Sequence, residues 1–481
     1  MLRPPISRLL LLVGGMAATV GGPPLLMMID PPTGYHLASV PFEYFGFFGT
    51  LFVLAVTWYV FQSESPQYGG IFPFVFMVVM LVHLGMIAEY SEKSFDYGCY
   101  ENAAKLFVAG GNPYDGGFLY PPPVLQSIVS VYHILNALAS RFSHSFSEAK
   151  LLWGMVFYFY QCCQFFLVMG LFLLLHKFSL RLGFPAQASV ILVALLLLLD
   201  NPLLRTLRFN QINLWVLDAS LVAILLLPRH AFLAGVTIAC ASTIKLYPVT
   251  LFLPLLLKRN WKALLGGAAT GGGIFLLSTL GGREFTLYGQ FIDKILRTKS
   301  PVHFFRDNSP RGLIANTLSF MPSSLQLPTK EIVAVAYALS IVVFVIWFLV
   351  RFRRRDGVAR IEESQGHMAT SALLHDGHLV DMCALGLLIS PLVWEHHYVM
   401  ALPLILWALS VSGPRQWLAV IGTLLIIAIP TFDLYPFSYH RILGLGLLLV
   451  AAHAESIPQP SDLSTVLSEI KHRLVRRKPE V

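Results

Sequence analysis

Residues 70–123 have the sequence GIFPFVFMVVMLVHLGMIAEYSEKSFDYGCYENAAKLFVAGGNPYDGGFLYPPP. The composition of this stretch changes from apolar to polar at about residue 90. Its first part is almost entirely apolar and has the length that an α-helix needs to cross a bilayer. The residues that follow are polar, aromatic and rich in Gly and Pro, which indicates turns at the membrane surface. Asp96 stands at this boundary, and a carboxylate beside a membrane span is a functional-site candidate.

The rest of the chain repeats the apolar part of this pattern. Of its 481 residues, 56% are hydrophobic and 12% are charged, and the mean hydropathy is +0.67. A soluble domain has about twice this charged fraction, so we predict an all-α polytopic membrane protein with about 12 to 14 transmembrane helices. The candidate spans are roughly 8–28, 42–61, 70–89, 151–175, 187–200, 212–228, 232–246, 248–257, 262–281, 331–350, 378–393, 397–411, 416–430 and 440–453.

The predicted spans form a single transmembrane catalytic domain over residues 1–453, followed by a basic tail over 454–481. Most Lys and Arg residues stand in short loops and in the tail, where they mark the cytoplasmic side of a membrane protein. The net charge of +8 therefore sets orientation and does not indicate a nucleic-acid partner. The clearest cytoplasmic marks are RFRRR (351–355), KRNWK (258–262) and KHRLVRRK (471–478).

These marks predict the sides of the loops. An external catalytic loop covers about 90–150, a second external loop about 282–330, and a cytoplasmic loop about 351–377. The segment 121–140 decides which side the later loops occupy. It is apolar enough to cross the membrane, which would put the basic loops 176–183 and 228–230 outside, but its Pro, His and Asn residues favour a helix lying along the membrane. The predicted active site then lies around Asp96, on the non-cytoplasmic side of a cell membrane.

Cations gather on the same predicted face. Arg205 and Arg208 stand in RTLRFNQIN (205–213), and Lys245 stands in an apolar run broken by Pro248. Irregular backbone at membrane depth is tolerated where it lines a cavity, and a lipid phosphate binds such cations, with Arg giving bidentate contacts. The alternative is that these side chains extend to the interface without binding a substrate.

Two histidine motifs receive different interpretations. In WEHH (394–397), the adjacent His396 and His397 beside Glu395 fit poorly around one metal ion. We therefore favour histidines that donate to a phosphate or a sugar, with plain interfacial anchoring as the alternative. HDGH (375–378) also looks like a metal cluster, but it follows a charged cytoplasmic loop and is expected to be solvated.

Asp96 has two compatible interpretations, a general base that deprotonates an acceptor hydroxyl and an N-cap for an amphipathic helix over 97–109. The following GGNPYDGG (110–117) and YPPP (120–123) predict two rigid turns around a short helix. The run GGAATGGG (266–273) lies inside an apolar span, which favours close helix packing.

Several common motifs are missing. The chain has no strand followed by GxGxxG and no Walker loop, and its five cysteines show no metal-ligand spacing. Its donor substrate is therefore expected to come from within the membrane as a lipid-linked molecule. Neither a metal nor a cofactor is predicted for the site.

Taken together, these motifs resemble family 87 of the polyprenol-phosphate-dependent glycosyltransferases, part of the C-type membrane superfamily. The resemblance covers about residues 90 to 410 and rests on FDYGCYENAAKLFVAGGNPY, LYPPP, NQIN, GVTIACASTIKLYPVTLFLPLLLKRNWKAL and SPLVWEHHYVMALPLI. It implies membrane-parallel helices in the loop after Asp96, a polyprenyl-phosphate-linked hexose donor (most often mannose), inversion at C1 and no required metal. The chain departs from the family pattern in two ways. It has two hydrophobic spans ahead of the span that precedes Asp96, and it has NQIN where family members often have Gly followed by Gln.

The resemblance also implies that Asp96 is the catalytic base. The cations and histidines predicted to hold the donor phosphate are Lys245, Arg205, Arg208, His396 and His397. The residues predicted to line the substrate pocket are Tyr97, Tyr100, Tyr120, Gln211, Asn213 and Glu395.

The expected partners are the lipid-linked donor, a lipid or glycan acceptor and membrane lipids. The alternative function is a multi-span transporter or flippase for a lipid-linked or anionic solute, and a non-catalytic assembly subunit is a third. Transporters often carry internal repeats with broken helices in matching positions. The sequence shows no such repeat, which favours the enzyme.

Overall fold

The computed structural model describes residues 71–91, 93, 95–142, 149–280, 283–297, 307–320, 328–390, 392–411, 413, 415–429 and 435–453. All regular secondary structure in these ranges is helical, which confirms the predicted all-α class. The predicted spans 8–28 and 42–61 and the tail 454–481 lie outside the described residues.

Seventeen α-helices occur in the described ranges: α1 Ile71–Tyr90, α2 Phe95–Val108, α3 Pro122–Phe142, α4 Ala149–Arg181, α5 Ala186–Leu199, α6 Asn201–Arg208, α7 Asn213–Leu226, α8 Ala231–Ile244, α9 Phe252–Leu257, α10 Trp261–Thr279, α11 Arg283–Arg297, α12 Pro310–Ser319, α13 Thr329–Ser364, α14 Met368–Ile389, α15 Leu402–Leu409, α16 Gln416–Ile427 and α17 His440–Ala451. The described ranges also contain 3-10 helices at Pro113–Gly116, Tyr247–Leu251, Glu395–Ala401 and Phe437–Tyr439.

Four of these helices, α1, α4, α13 and α14, are long and apolar enough to cross a membrane. The pair α5 and α6 passes the same test together, with a bend of 57° between them. The bend follows from local chemistry, because Asp200 Oδ1 accepts the Leu203 N–H (3.2 Å) and Pro202 starts a new helix there. Shorter apolar helices match five further predicted spans, 212–228, 232–246, 248–257, 416–430 and 440–453. The count of 12 to 14 crossings stays a prediction.

Two hydrophobic clusters hold the described helices together. The larger one packs apolar faces of α1, α4, α5, α7, α8, α14 and α15 around side chains such as Phe172 and Trp407. The smaller one is aromatic and includes Tyr100, Phe118 and Trp153 from α2, the turn after it and α4. This second cluster fixes α2, and with it Asp96, against the main bundle.

The segment predicted as a cytoplasmic loop, 351–377, is almost entirely helical. It comprises the end of α13, a short turn and the start of α14, which pack against each other. Arg351 and Arg355 of the basic RFRRR motif are buried, and both guanidinium groups contact the Asp381 carboxylate (2.7 and 2.9 Å). Burial of such charges is tolerated because they are paired.

The prediction that HDGH (375–378) is solvated is wrong. Asp376 is fully buried and His378 is 5% exposed, while Arg181 of α4 pairs with Asp376. The motif lies in the first half of α14, and α14 packs against α13. The charged sequence around the motif suggested exposure to water, but the ion pair with Arg181 of another helix offsets part of the cost of burying the Asp376 carboxylate.

The glycine run 266–273 divides into two parts. A methyl group on Gly266 would overlap the Phe232 carbonyl of α8, and one on Gly235 of α8 would overlap the Ala263 carbonyl of α10. The predicted close packing is therefore present at the start of the run. Gly272 and its two neighbours would meet no atom, so the end of the run faces open space.

We expect Gly235→Ala to destabilise the protein by about 2 kcal/mol, since the added carbon forces α8 and α10 apart. Gly272→Ala is the matched control and should be neutral or stabilising by up to about 1 kcal/mol, because Ala is the better helix former. Unfolding in detergent micelles measures both variants. Equal stability of the two would contradict the close contact between α8 and α10.

Candidate active site

Asp96 lies in the first turn of α2, which begins at Phe95. The helix thus starts earlier than the predicted 97–109, and Asp96 stands inside its first turn and not at the N-cap position. The partial positive charge of a helix N-terminus favours a carboxylate there. The Asp96 side chain accepts a hydrogen bond from the Gln211 side chain and lies within electrostatic range of Lys245.

The pKa of Asp96 is raised above its ordinary value. Burial is the largest cause, because the low-dielectric surroundings disfavour the charged form. The Gln211 hydrogen bond and the positive charge of Lys245 act in the opposite direction, since both favour the carboxylate. Asp96 therefore holds a proton at a higher pH than a solvated carboxyl group does.

The NQIN turn between α6 and α7 aims Gln211 at Asp96. Asn210 adopts a left-handed backbone conformation with φ of 51°, which Asn tolerates better than most residues. The Tyr160 hydroxyl donates to the Asn210 carbonyl (2.8 Å), and the Gln164 amide donates to the Gln211 carbonyl (2.7 Å). Two side chains of α4 thus hold the backbone of this turn in place.

A chain of hydroxyl groups reaches Gln211 from the turn after α2. The Tyr120 hydroxyl donates to Gln211 Oε1 (3.1 Å), and the Tyr100 hydroxyl lies 3.0 Å from that of Tyr120. With its oxygen occupied, the Gln211 amide nitrogen donates to Asp96. The two tyrosines therefore fix which end of the amide faces the carboxylate.

The turn that carries Tyr120 has the predicted form. A short 3-10 helix over Pro113–Gly116 begins with Asn112, whose side chain accepts the Tyr114 N–H, and ends at Gly117 with φ of 86°. The Tyr114 hydroxyl then donates to the Tyr120 carbonyl (3.2 Å). The prediction of rigid turns around a short helix is confirmed.

Lys245 is placed by the end of α8. The helix stops at Ile244, and Lys245 has an extended backbone conformation and is only 8% exposed. Its ammonium group donates to Asn213 Oδ1 (2.5 Å), contacts His397 Nε2 (3.0 Å) and lies over the Tyr120 ring, 5.6 Å from its centroid. The ammonium group thus links α7, α8, the 395–401 turn and the tyrosine network.

The contact between Lys245 and His397 has a chemical consequence. The Trp394 N–H donates to His397 Nδ1 (2.9 Å), so the neutral ring carries its proton on Nε2. The His397 Nε2–H and the Lys245 ammonium are then two donors beside each other. Two donors in that arrangement need a shared acceptor, and a phosphate oxygen supplies one.

The two arginines lie beside Phe209, whose ring centroid is 6.4 Å from that of His396. Arg205 Nε donates to Glu395 Oε1 (2.8 Å), so its charge is balanced by a carboxylate. Arg205 and Arg208 each have a guanidinium carbon 5.9 Å from the centroid of the Phe209 ring. His396 is 4% exposed, and its carbonyl accepts hydrogen bonds from Thr206 and Asn213 (both 3.2 Å).

The structure thus brings most of the predicted site residues together. Asp96, Gln211, Tyr100, Tyr120, Lys245, Asn213 and His397 form one connected network. Arg205, Glu395 and His396 lie beside it. Tyr97 differs, because its ring packs on Phe157 with centroids 4.8 Å apart and its buried hydroxyl has no hydrogen-bond partner among the described residues.

The sequence interpretation missed a clamp that positions the histidines. Asp307 Oδ1 accepts the Val393 N–H (3.1 Å), the Asn308 N–H donates to the Val393 carbonyl (2.7 Å), and the Tyr398 hydroxyl donates to the Asn308 carbonyl (2.8 Å). The motif DNSP before α12 does indicate a helix start. No sequence signal, however, indicates that this motif pairs with a segment 86 residues later.

Fold and site together define a class, a polytopic membrane protein with a buried cationic and carboxylate site at helix ends. Residues 118–374, just over half of the chain, match the model of glycosyltransferase family 87. The chain belongs to this family and is a membrane glycosyltransferase. No curated protein and no solved structure matches the chain.

The match confirms the resemblance inferred from the sequence and favours the enzyme over a transporter. The matched range contains Tyr120, Gln211 and Lys245 but not Asp96 or His397. The roles of those two residues therefore rest on the geometry of the site.

We expect Gln211→Leu to raise the pKa of Asp96 further, because the hydrogen bond that Gln211 donates stabilises the ionised carboxyl group and the variant lacks it. Infrared difference titration of the carboxyl stretch, assigned with Asp96→Asn, measures this pKa. Gln126→Leu is the control, since Gln126 donates to the Ser278 carbonyl. A titration unchanged in Gln211→Leu would contradict the hydrogen bond between Gln211 and Asp96.

Proposed function

We propose that this glycosyltransferase moves a hexose, most simply mannose, from a polyprenyl-phosphate donor to an acceptor hydroxyl with inversion at C1, and that Asp96 is the general base. The observation that carries the proposal is the connection through Gln211, Tyr120 and Lys245 between a carboxylate and a phosphate-sized group of donors. Base and leaving-group site are thereby held at a fixed separation.

The donor phosphate binds at Lys245 and His397. The Lys245 ammonium and His397 Nε2 lie 3.0 Å apart, and both are buried enough for their charge and dipole to act strongly on an anion. As the bond between sugar C1 and the phosphate oxygen breaks, negative charge grows on that oxygen. These preorganised donors stabilise it.

Asp96 acts at the other end of the reaction. Its carboxylate takes the proton of the acceptor hydroxyl while the acceptor oxygen forms the new bond to C1 on the face opposite the phosphate. The C1–O bond to phosphate breaks with its electron pair, and polyprenyl phosphate leaves with one more negative charge. The products are the α-glycoside, the lipid phosphate and protonated Asp96.

One carboxylate is sufficient for this reaction. Glycoside hydrolysis uses two, because an alkoxide leaving group needs a proton from an acid. Phosphate leaves as a stable anion without one. Glu395, the other carboxylate near the site, is instead occupied by Arg205.

The neighbouring side chains have supporting roles. Arg205 and Arg208 flank the phosphate position from α6, His396 and Asn213 line the side nearest Lys245, and the hydroxyls of Tyr100 and Tyr120 face the sugar. Tyr97 supports α2 through the aromatic cluster. The acceptor is a lipid or a glycan at the non-cytoplasmic face of the cell membrane, which is where the basic segments of the sequence place Asp96.

Asp96→Asn is expected to lower kcat by about a thousandfold, in the range of a lost general base, with donor binding little changed because Lys245 and His397 remain. Transfer from synthetic polyprenyl-phosphate mannose in liposomes measures kcat. Asp115→Asn is the matched control, an exposed acidic residue of the same segment. Normal turnover in folded Asp96→Asn would remove the proposed base.

The pH profile of the enzyme follows from the raised pKa of Asp96. Because the base must be ionised, kcat/KM is expected to fall as the pH drops through that pKa, above the range of a solvated carboxyl group. Gln211→Leu should move this acid limb to higher pH, and Gln126→Leu should leave it in place. An acid limb at the ordinary Asp value would argue against the assignment.

A further inference from the structure

A second polar cluster lies on α13 and α14. His375 and His378 stand one turn apart near the start of α14, and Asp356 of α13 faces them. One ligand atom from each of the three residues lies within 4.8 Å of the others. Two imidazoles and a carboxylate are a donor set that suits divalent transition metals.

This cluster is separate from the site around Asp96. The segment from Tyr247 to Leu257 has Lys245 just before it and Lys258 just after it, and only Lys258 contacts the cluster, through Asp356. Along α14, eleven residues separate His378 from Ile389, which corresponds to about 16 Å of helix. The two sites therefore lie toward opposite ends of shared helices.

A cavity of about 340 Å³ adjoins the cluster. Both histidines, Asp376, Lys258 and Asn260 line its polar part, and apolar side chains of α9, α14 and the end of α7 line the rest. A metal ion with three protein ligands keeps a fourth position for water. The cavity supplies space for that water and for entry of the ion.

The imidazoles have nitrogen atoms available for such an ion. His375 Nδ1 and His378 Nε2 are buried, and neither has a hydrogen-bond partner among the described residues. A buried polar atom without a partner costs free energy. Coordination of a metal would satisfy these atoms.

The charges around the cavity favour a cation over an anion. Lys258 and Arg360 both pair with Asp356, and Arg181 pairs with Asp376. Each of these three basic groups is engaged by a carboxylate, and Glu363 beside His375 adds a third negative charge, so no basic group is left over for a phosphate. The Lys258 ammonium sits where a metal would neutralise Asp356, so the two cations compete for that carboxylate.

We propose that Asp356, His375 and His378 bind one divalent transition-metal ion such as zinc. The ion would cross-link α13 and α14 at a place separate from the glycosyl-transfer site. Zinc bonds to nitrogen and oxygen are about 2.0–2.2 Å long, so tetrahedral ligands lie about 3.5 Å apart. The three ligand atoms need to close by about 1 Å, which side-chain rotation allows. Lys258 swings into the cavity when the ion binds.

The test uses the full chain, purified in nanodiscs and stripped with a chelator. Zinc titration against a chromophoric indicator should give one tight site and a higher unfolding temperature, because an ion that binds only the folded state stabilises it. His375→Gln/His378→Gln should weaken zinc binding by at least about tenfold and abolish the thermal shift. His367→Gln, an exposed histidine on the turn before α14, is the control and should behave as the wild type.

Lys258→Met gives a second arm that does not require the loss of a ligand. Removing the competing ammonium should tighten zinc binding several-fold if Asp356 is a ligand. If the cluster is only an ion-pair network, zinc binding stays unchanged in Lys258→Met. That result, or equal zinc affinity in the wild type and the double histidine variant, overturns the proposal.

Discussion

The buried ammonium group of Lys245 is the constraint on which the site depends. A charge removed from water needs a hydrogen-bond acceptor and an opposite charge, and Lys245 obtains them from Asn213 and the field of Asp96, with His397 in contact beside it. Each partner comes from a different element, so the requirement ties α2, α7, α8 and the 395–401 turn together. The lysine is therefore a structural centre as well as the proposed phosphate ligand.

The same rule explains why the surrounding parts are rigid. Gln211 serves Asp96 only because the backbone of its turn is held by Tyr160 and Gln164, and because Tyr120 occupies the amide oxygen. The histidines are held in the same way by the Asp307 clamp. Positions fixed before the substrate arrives reduce the reorganisation needed in the transition state.

Buried charged residues also lie between α13 and α14, where they pair with each other. Arg351 and Arg355 are neutralised by Asp381, and Arg355 lies over the Trp407 ring at 4.8 Å from its centroid. Each guanidinium group has a carboxylate partner, which fits a structural role. His375 and His378 have ring nitrogens without a hydrogen-bond partner among the described residues and line a cavity, and the cavity separates the candidate ligand site from the structural ion pairs.

The sequence by itself determined the features that depend on residues close together in the chain. These are the apolar helices, the short turns around Pro113 and Gly117, the helix break at Lys245 and the motifs that carry the family resemblance. Hydropathy and turn preferences act over a few residues, so the chain alone shows them. Only the tertiary structure decided that HDGH is buried, that Gly235 meets α10 while Gly272 does not, and that Asp307 holds Val393. These outcomes depend on which helices pack against each other. The sequence around a charged or small residue does not indicate which distant residue it will contact.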